Sequence, residues 1–322
     1  MNENTVAQEV TMRVGISQCL LGEMVRYDGG HKRDLYLTDV LGNYFEWVPV
    51  CPELEVGMGV PREAVRLVLS NDEVKMVGNK SGEDWTKRVN SFSESRVKQL
   101  EELELCGFIF KSKSPTCGME RVTLYTEKGM PAKNGVGLFA DVFMKTFPQI
   151  PAEEEGRLND AQIRENFIVR VFSYHRLKQL LNNFSRGALV QFHTIHKYLM
   201  LSHSERHYRE LGVIVANSKS IKPSELKERY SALFMEGLSV KATTKKHVNV
   251  LLHILGYFRD HLSAKERAEI LSVIEDYHKE YVPLVVPIML INHYIKLNNV
   301  EYLCDQVYLH PHPKELMLRN RV

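Results

Sequence analysis

The chain has 322 residues, 44% of them hydrophobic and 25% charged, with 42 Lys+Arg against 40 Asp+Glu. This composition is ordinary for a folded globular protein of about two domains and argues against general disorder. Met1 to Met12 is polar and acidic without an apolar core, and the longest apolar run, Leu284 to Ile291, is interrupted by Pro287. Neither a secretory signal nor a membrane helix is therefore expected, and a cytoplasmic protein without a membrane partner is the default.

The net charge of +2 hides an asymmetry. Residues 1–159 carry 19 Lys+Arg against 24 Asp+Glu, a balance of −5, whereas residues 160–322 carry 23 against 16, a balance of +7, and 12 of the 13 histidines. Five cysteines, an odd number, argue for reduced thiols, metal ligands or catalysis over a disulfide framework.

Three short apolar runs end in a cysteine turn. Arg13-Val14-Gly15-Ile16 leads to Ser17-Gln18-Cys19-Leu20-Leu21-Gly22, Trp47-Val48-Pro49-Val50 to Cys51-Pro52-Glu53, and Gly107-Phe108-Ile109-Phe110 to Ser114-Pro115-Thr116-Cys117-Gly118. Each run reads as a buried strand, and the proline or glycine beside the cysteine, both of them at Cys117, displays the thiol at its end. In an open parallel sheet, ligands bind outside the carboxyl ends of the strands, so Cys19, Cys51 and Cys117 are expected to converge there. Three soft thiolates suit zinc or an iron–sulfur cluster. Paired Cys-x-x-Cys ligands, usual for structural zinc, do not occur in this sequence. A cubane held by three ligands would leave one iron open to a substrate. The competing reading is three buried cysteines acting as small hydrophobes. Cys106 and Cys304 are expected to be bystanders.

Between the first two cysteine turns, Asp28-Gly29-Gly30 marks a tight turn in a loop. Glu63 to Leu69 and Glu73 to Val77 alternate helix-like and strand-like patterns, and Asp84 to Leu105 reads as an amphipathic helix. Arg121 to Tyr125 reads as a further strand, and Gly135-Val136-Gly137 as turn chemistry opening a helix to Phe147. The expected organisation is a tail at 1–12, an α/β domain with an open, mostly parallel sheet at 13–147, an acidic Pro/Gly linker at 148–159, and an all-α helical bundle at 160–322.

In the bundle the periodicity predicts helices over 161–181, 185–201, 204–217, 223–238, 243–262, 264–280 and 285–297, with Ser263-Ala264-Lys265-Glu266 as a capping box. His193/His196 and His203/His207 share helix faces, but no carboxylate completes a ligand set, which favours helix packing. Lys241, Lys245 and Lys246 form the densest basic cluster, suited either to a phosphate backbone or to a solvated face.

The cysteine motifs, together with Arg26-Tyr27-Asp28-Gly29 and Lys111-x-x-Ser114, resemble the thiouracil desulfurase family over most of residues 13–147. Phe192-His193-x-x-His196-Lys197, Leu251 to Phe258 and Gln306 to Pro313 resemble a helical domain of formerly unknown function found fused to it in bacteria. The resemblance extends to the two-domain desulfidases that act on 4-thiouridine in tRNA. It implies a [4Fe–4S] cluster on Cys19, Cys51 and Cys117 whose fourth iron takes the substrate's sulfur, and thiolated tRNA as the partner. Exchange of C=S for C=O by water is then a hydrolysis without net redox. Glu53, two residues after a ligand cysteine, is the first choice for general base or proton shuttle; Ser114 is placed to hydrogen-bond the pyrimidine or the water; Asp28 is a further candidate unless it only caps its turn. Thr116, where serine is common in the family, keeps the hydroxyl. Desulfuration of free thiouracil beside a dimerising or partner-recruiting bundle, and non-catalytic RNA binding with a structural metal, are the alternatives. The oligomeric state is not legible.

Overall fold

The computed structural model describes residues 12–321, which fall into two compact units divided between Asn159 and Asp160. The expected tail at 1–12 lies outside the described residues except for Met12, which opens the first strand.

The first unit is α/β. Strands β1 (Met12–Ser17), β2 (Phe45–Val50), β5 (Gly107–Phe110) and β8 (Ala152–Glu154) form an all-parallel sheet in the order β2-β1-β5-β8. All four residues of β5 are buried, as the continuous apolar run requires for a central parallel strand. Pro49 is tolerated because β2 is an edge and needs no outward donor there. Helices α2 (Thr86–Glu102) and α3 (Leu138–Thr146) supply Val97, Leu100, Phe139 and Phe143 to a core with Phe108 and Phe110. The Phe108 and Phe110 rings stack at 4.2 Å, and Phe143 lies 4.7 Å from Phe108.

One expectation is corrected here. Residues 148–159 do not form a free linker: β8 registers Phe108 with Ala152 and Phe110 with Glu154, and Leu158 is buried. The charge run read as part of the linker is consumed by partners, Glu153 by Arg157 at 2.7 Å, Glu154 by the Met119 amide at 2.8 Å, and Glu155 by Lys111 at 2.5 Å. The unit also holds a further sheet. Strands β3 (Val65–Ser70), β4 (Glu73–Gly78), β6 (Val122–Thr126) and β7 (Pro131–Gly135) run in the order β4-β3-β6-β7, with β3 and β6 parallel and the outer pairs antiparallel. The β3–β4 hairpin turns on Asn71 and Asp72, both at positive φ, which is the two-residue turn chemistry that the mixed periodicity of Glu63–Val77 concealed.

The second unit is helical and matches the periodicity closely. Its long helices are α4 (Ala161–Asn182), α5 (Arg186–His203), α6 (Glu205–Ala216), α7 (Pro223–Ser239), α8 (Thr244–Leu255), α9 (Ala264–His278) and α10 (Val285–Asn298). Asp160, Ser185, Ser204 and Thr243 accept backbone N–H groups as N-caps, and the Ser263/Glu266 capping box is formed in both directions. The helix expected over 243–262 ends at Leu255 and tightens into a 3₁₀ turn, Gly256–Phe258.

The paired histidines serve packing. His196 stacks on Phe192 at 3.9 Å and bonds the Phe192 carbonyl at 2.8 Å, while His203 bonds the Val240 carbonyl at 2.7 Å. Burial pushes His196 down to about 3 and His203 to about 4. The unfolded chain takes up both protons as the pH falls through roughly 6.5, whereas the folded chain resists until its lower values, so this contribution to stability is complete above that pH and is lost toward pH 4. Thermal melting followed by helical circular dichroism is expected to show a lower midpoint near pH 5 than near pH 7.5. Equal midpoints would contradict the buried neutral state.

Candidate active site

Each of the three cysteines is placed by a different local device. Cys19 lies in the 3₁₀ turn Gln18–Leu21 that follows β1, closed by Gly22 at φ 96°. This left-handed conformation favours glycine. Cys51 follows β2 and precedes the one-turn helix α1 (Pro52–Glu55), with Pro52 at the first helical position, where its missing N–H costs nothing. Its own amide donates to Glu55 Oε1 at 2.9 Å. Cys117 sits in the turn after β5, where Ser114 Oγ accepts from the amides of Thr116 and Cys117, both at 3.2 Å. Gly137 donates to the Gly118 carbonyl at 2.8 Å, and a Cβ on it would meet the Cys117 nitrogen at 2.8 Å. The Gly-x-Gly thus allows backbone to press against the cysteine turn.

Cys19, Cys51 and Cys117 line one cavity of about 330 Å³ together with Glu53, Arg62, Lys111, Ser114 and Thr116. The three cysteines are free, and desolvation pushes Cys19 up to about 11, Cys117 up to about 12, and Cys51 upward. Buried thiols of this kind become thiolates when a cationic group offsets the desolvation, so the donor set fits a soft metal centre. Among the described residues, no group of three or more His, Cys, Asp or Glu closes on a single-ion position. Arg26, Lys32, Arg62, Lys111 and Lys113 line the walls against the single carboxylate of Glu53, giving an electropositive cavity.

Glu53 is more constrained than its place beside Cys51 implies. Its Oε2 accepts from Arg62 Nη2 at 2.5 Å and Arg62 Nε at 3.1 Å; its Oε1 accepts from Thr116 Oγ1 at 2.9 Å and Ser114 Oγ at 3.4 Å. Because two amides occupy the lone pairs of Ser114, its hydroxyl is left as a donor. Thr116 Oγ1 also lies 3.6 Å from Cys117 Sγ, so its hydroxyl links the carboxylate to a cysteine. Lys111 Nζ is held at 2.5 Å from Glu155, which also accepts from the Ser112 amide at 2.7 Å.

The structure brings Glu53 and Ser114 to the cysteines and leaves Asp28 out. Asp28 is exposed, does not line the cavity, and accepts from the Gly30 amide at 3.1 Å, a bond that is also the main cause of its lowered pKa. It caps the turn. Arg62 and Glu155 were not legible as site residues, since neither belongs to a cysteine motif; a lone arginine after the uncharged run Gly57–Pro61 was the available signal.

In the helical unit, Lys245 and Lys246 line a second cavity of about 660 Å³ with Lys197, Arg209, His253, Tyr198, Tyr208 and Tyr257. Lys246 Nζ is engaged by the carbonyls of His203 at 2.5 Å and Lys241 at 3.1 Å. Lys241 is exposed but lies outside that cavity. Lys197 Nζ stands 4.8 Å from the rings of Tyr198 and Tyr302, and Tyr257 stacks on Tyr302 at 5.0 Å.

Comparison with known proteins agrees with this architecture. Residues 14–155 match the model of the 2-thiouracil desulfurase family, and residues 197–313 that of a protein family of unknown function, DUF1722. The uncharacterized protein YbgA of Escherichia coli (strain K12) is 32% identical over 165 residues, 51% of this chain and 98% of that protein. A solved structure, the [4Fe-4S]-dependent thiouracil desulfidase TudS, is 25% identical, with coverage of 47% of this chain and 95% of its own, at a TM-score of 0.39. The chain thus carries a 2-thiouracil desulfurase domain over residues 14–155 and a DUF1722 domain over residues 197–313.

Proposed function

We propose that the chain is an iron–sulfur-dependent desulfidase that converts 4-thiouridine in tRNA to uridine, releasing sulfide without net redox. The observation that carries this reading is the delivery of Cys19, Cys51 and Cys117 from three strand ends into one cavity that also holds Glu53 and Ser114. The balance is C=S plus H₂O giving C=O plus H₂S. Bound on the three thiolates, a [4Fe–4S] cluster would supply a soft Lewis acid for the thiocarbonyl sulfur.

The rest of the chemistry falls to the chain. Glu53 takes a proton from water as it adds to the ring carbon, and Ser114 turns its one hydroxyl hydrogen from Glu53 Oε1 to the pyrimidine or the water. Thr116 donates to Glu53 Oε1 at 2.9 Å and so restrains the carboxylate. The basic lining disfavours a further cation and favours an anionic substrate.

The macromolecular substrate is supported by the second unit. Its charge balance of +7 and the cavity combining Lys197, Arg209 and Lys245 with tyrosines suit phosphate neutralisation and base stacking. The cytoplasm is the compartment where such a tRNA is met. After anaerobic reconstitution with iron and sulfide, the chain is expected to act on thiolated tRNA with a higher kcat/KM than on free 4-thiouracil. Equal or greater efficiency on the free base would leave the helical unit as a dimerising or recruiting domain, and a chain without labile sulfide would favour a structural metal. Replacing Lys197 and Lys245 by Ala is expected to weaken tRNA binding and to lower the log–log salt slope by about 1 for each lysine that meets a phosphate. Titration of tRNA at several salt concentrations checks this; an unchanged slope would remove both residues from the interface. Lys241 and Lys246 are weaker candidates for this interface, because Lys241 lies outside the cavity and Lys246 already donates to two carbonyls.

A further inference from the structure

We propose that Arg62 is a positioning residue for Glu53, setting which carboxylate oxygen faces the reacting water and tying that carboxylate to the loop at the mouth of the cavity. The inference rests on the assignment of Glu53 to the chemistry. Arg62 is only 6% exposed and Glu53 14%, so their 2.5 Å contact is largely shielded from water. Two guanidinium N–H groups converge on Oε2 alone, which leaves Oε1 as the oxygen shared with the Thr116 and Ser114 hydroxyls.

The remaining donors of Arg62 point elsewhere. Nη1 donates to the carbonyls of Val25 at 3.0 Å and Gly59 at 2.9 Å, and the Arg62 amide donates to the Tyr27 carbonyl at 2.9 Å. The Val25 carbonyl in turn stands 3.9 Å from Cys51 Sγ. A single planar guanidinium therefore fixes the carboxylate and the segment carrying Arg26 and Tyr27, both of which line the cavity. Lysine has the charge but lacks the fork, and cannot serve the carboxylate and two carbonyls in this arrangement. The role differs from that of a buried structural ion pair because its effect on rate runs through Glu53, the carbonyl bonds serving only to hold the loop.

A double-mutant cycle on the reconstituted full-length chain separates the two, with 4-thiouracil as the probe. Arg62→Lys is expected to lower kcat by about 10²-fold with KM near its starting value, the scale of effect for a misplaced catalytic group. In a Glu53→Gln background the same substitution should leave the residual kcat unchanged, because no aimed base remains to misplace. Iron and labile sulfide per chain should match the parent in all four proteins. Arg62→Gln, which keeps donors for the loop carbonyls, carries the same expectation if the lysine variant melts early. An equal loss of kcat in both backgrounds, unchanged kcat in Arg62→Lys, loss of iron, or failure of both variants to fold would each overturn the positioning role. Full turnover by Glu53→Gln alone would instead sink the assignment of Glu53, which distinguishes the two failures.

Discussion

Cys51→Ser is expected to yield a folded chain with essentially no iron, no labile sulfide and no turnover after anaerobic reconstitution. The substitution changes one atom in a half-buried position, and the Cys51 amide that holds Glu55 is untouched, so the local fold has little reason to move. What is lost is a soft thiolate, for which a serine hydroxyl is a poor replacement toward iron. Cys19→Ser and Cys117→Ser carry the same expectation. Cys106→Ser and Cys304→Ser are the controls: neither residue lines the cavity, and both variants should keep iron content and rate. Iron and sulfide analysis beside an activity assay reads all five proteins. An active Cys51→Ser chain with full iron would end the three-ligand model.

The second large effect belongs to Glu53→Gln. The amide preserves shape, and its oxygen still accepts from Arg62 or from Thr116, so the fold and the metal centre should persist. Its nitrogen takes no proton from water, and loss of a general base lowers rates on the order of 10²- to 10⁴-fold. Steady-state kinetics with metal analysis checks the split between chemistry and cofactor retention. Turnover close to the parent's would remove Glu53 from the proton transfer. Asp28, exposed and bound to its own turn, is not positioned to inherit the task.

Much of this site was legible because the cysteine turns carry local chemistry: an apolar run, then proline or glycine, then a displayed thiol. The helical unit was legible for a similar reason, since its caps and 3.6-residue periodicity are local signals. What escaped the sequence is set by distant partners. Arg62 meets Glu53 only after the Gly57–Pro61 turn folds back, and nothing near Arg62 in the chain announces a carboxylate. Residues 152–155 look like part of an acidic linker until Lys111, Ser112 and the Met119 amide are placed against them. The second sheet escaped because its strands, though longer than β5, are only partly buried, so their pattern is weak beside the fully apolar run of β5.

The late entry of β8 has a consequence for how the protein is made. β1 is the first described strand to leave the ribosome, yet its neighbour β5 follows about ninety residues later and β8, which completes the sheet, later still. Parallel pairing across such separations is slow to form, and a nascent chain stopped before Glu154 would expose the edge of β5. Glu155, which fixes Lys111 in the cavity, arrives after that. The three thiols are thus synthesised before the partner that fixes Lys111 on their cavity's wall, and until the sheet closes they are more open to oxidation or to capture of a stray metal ion.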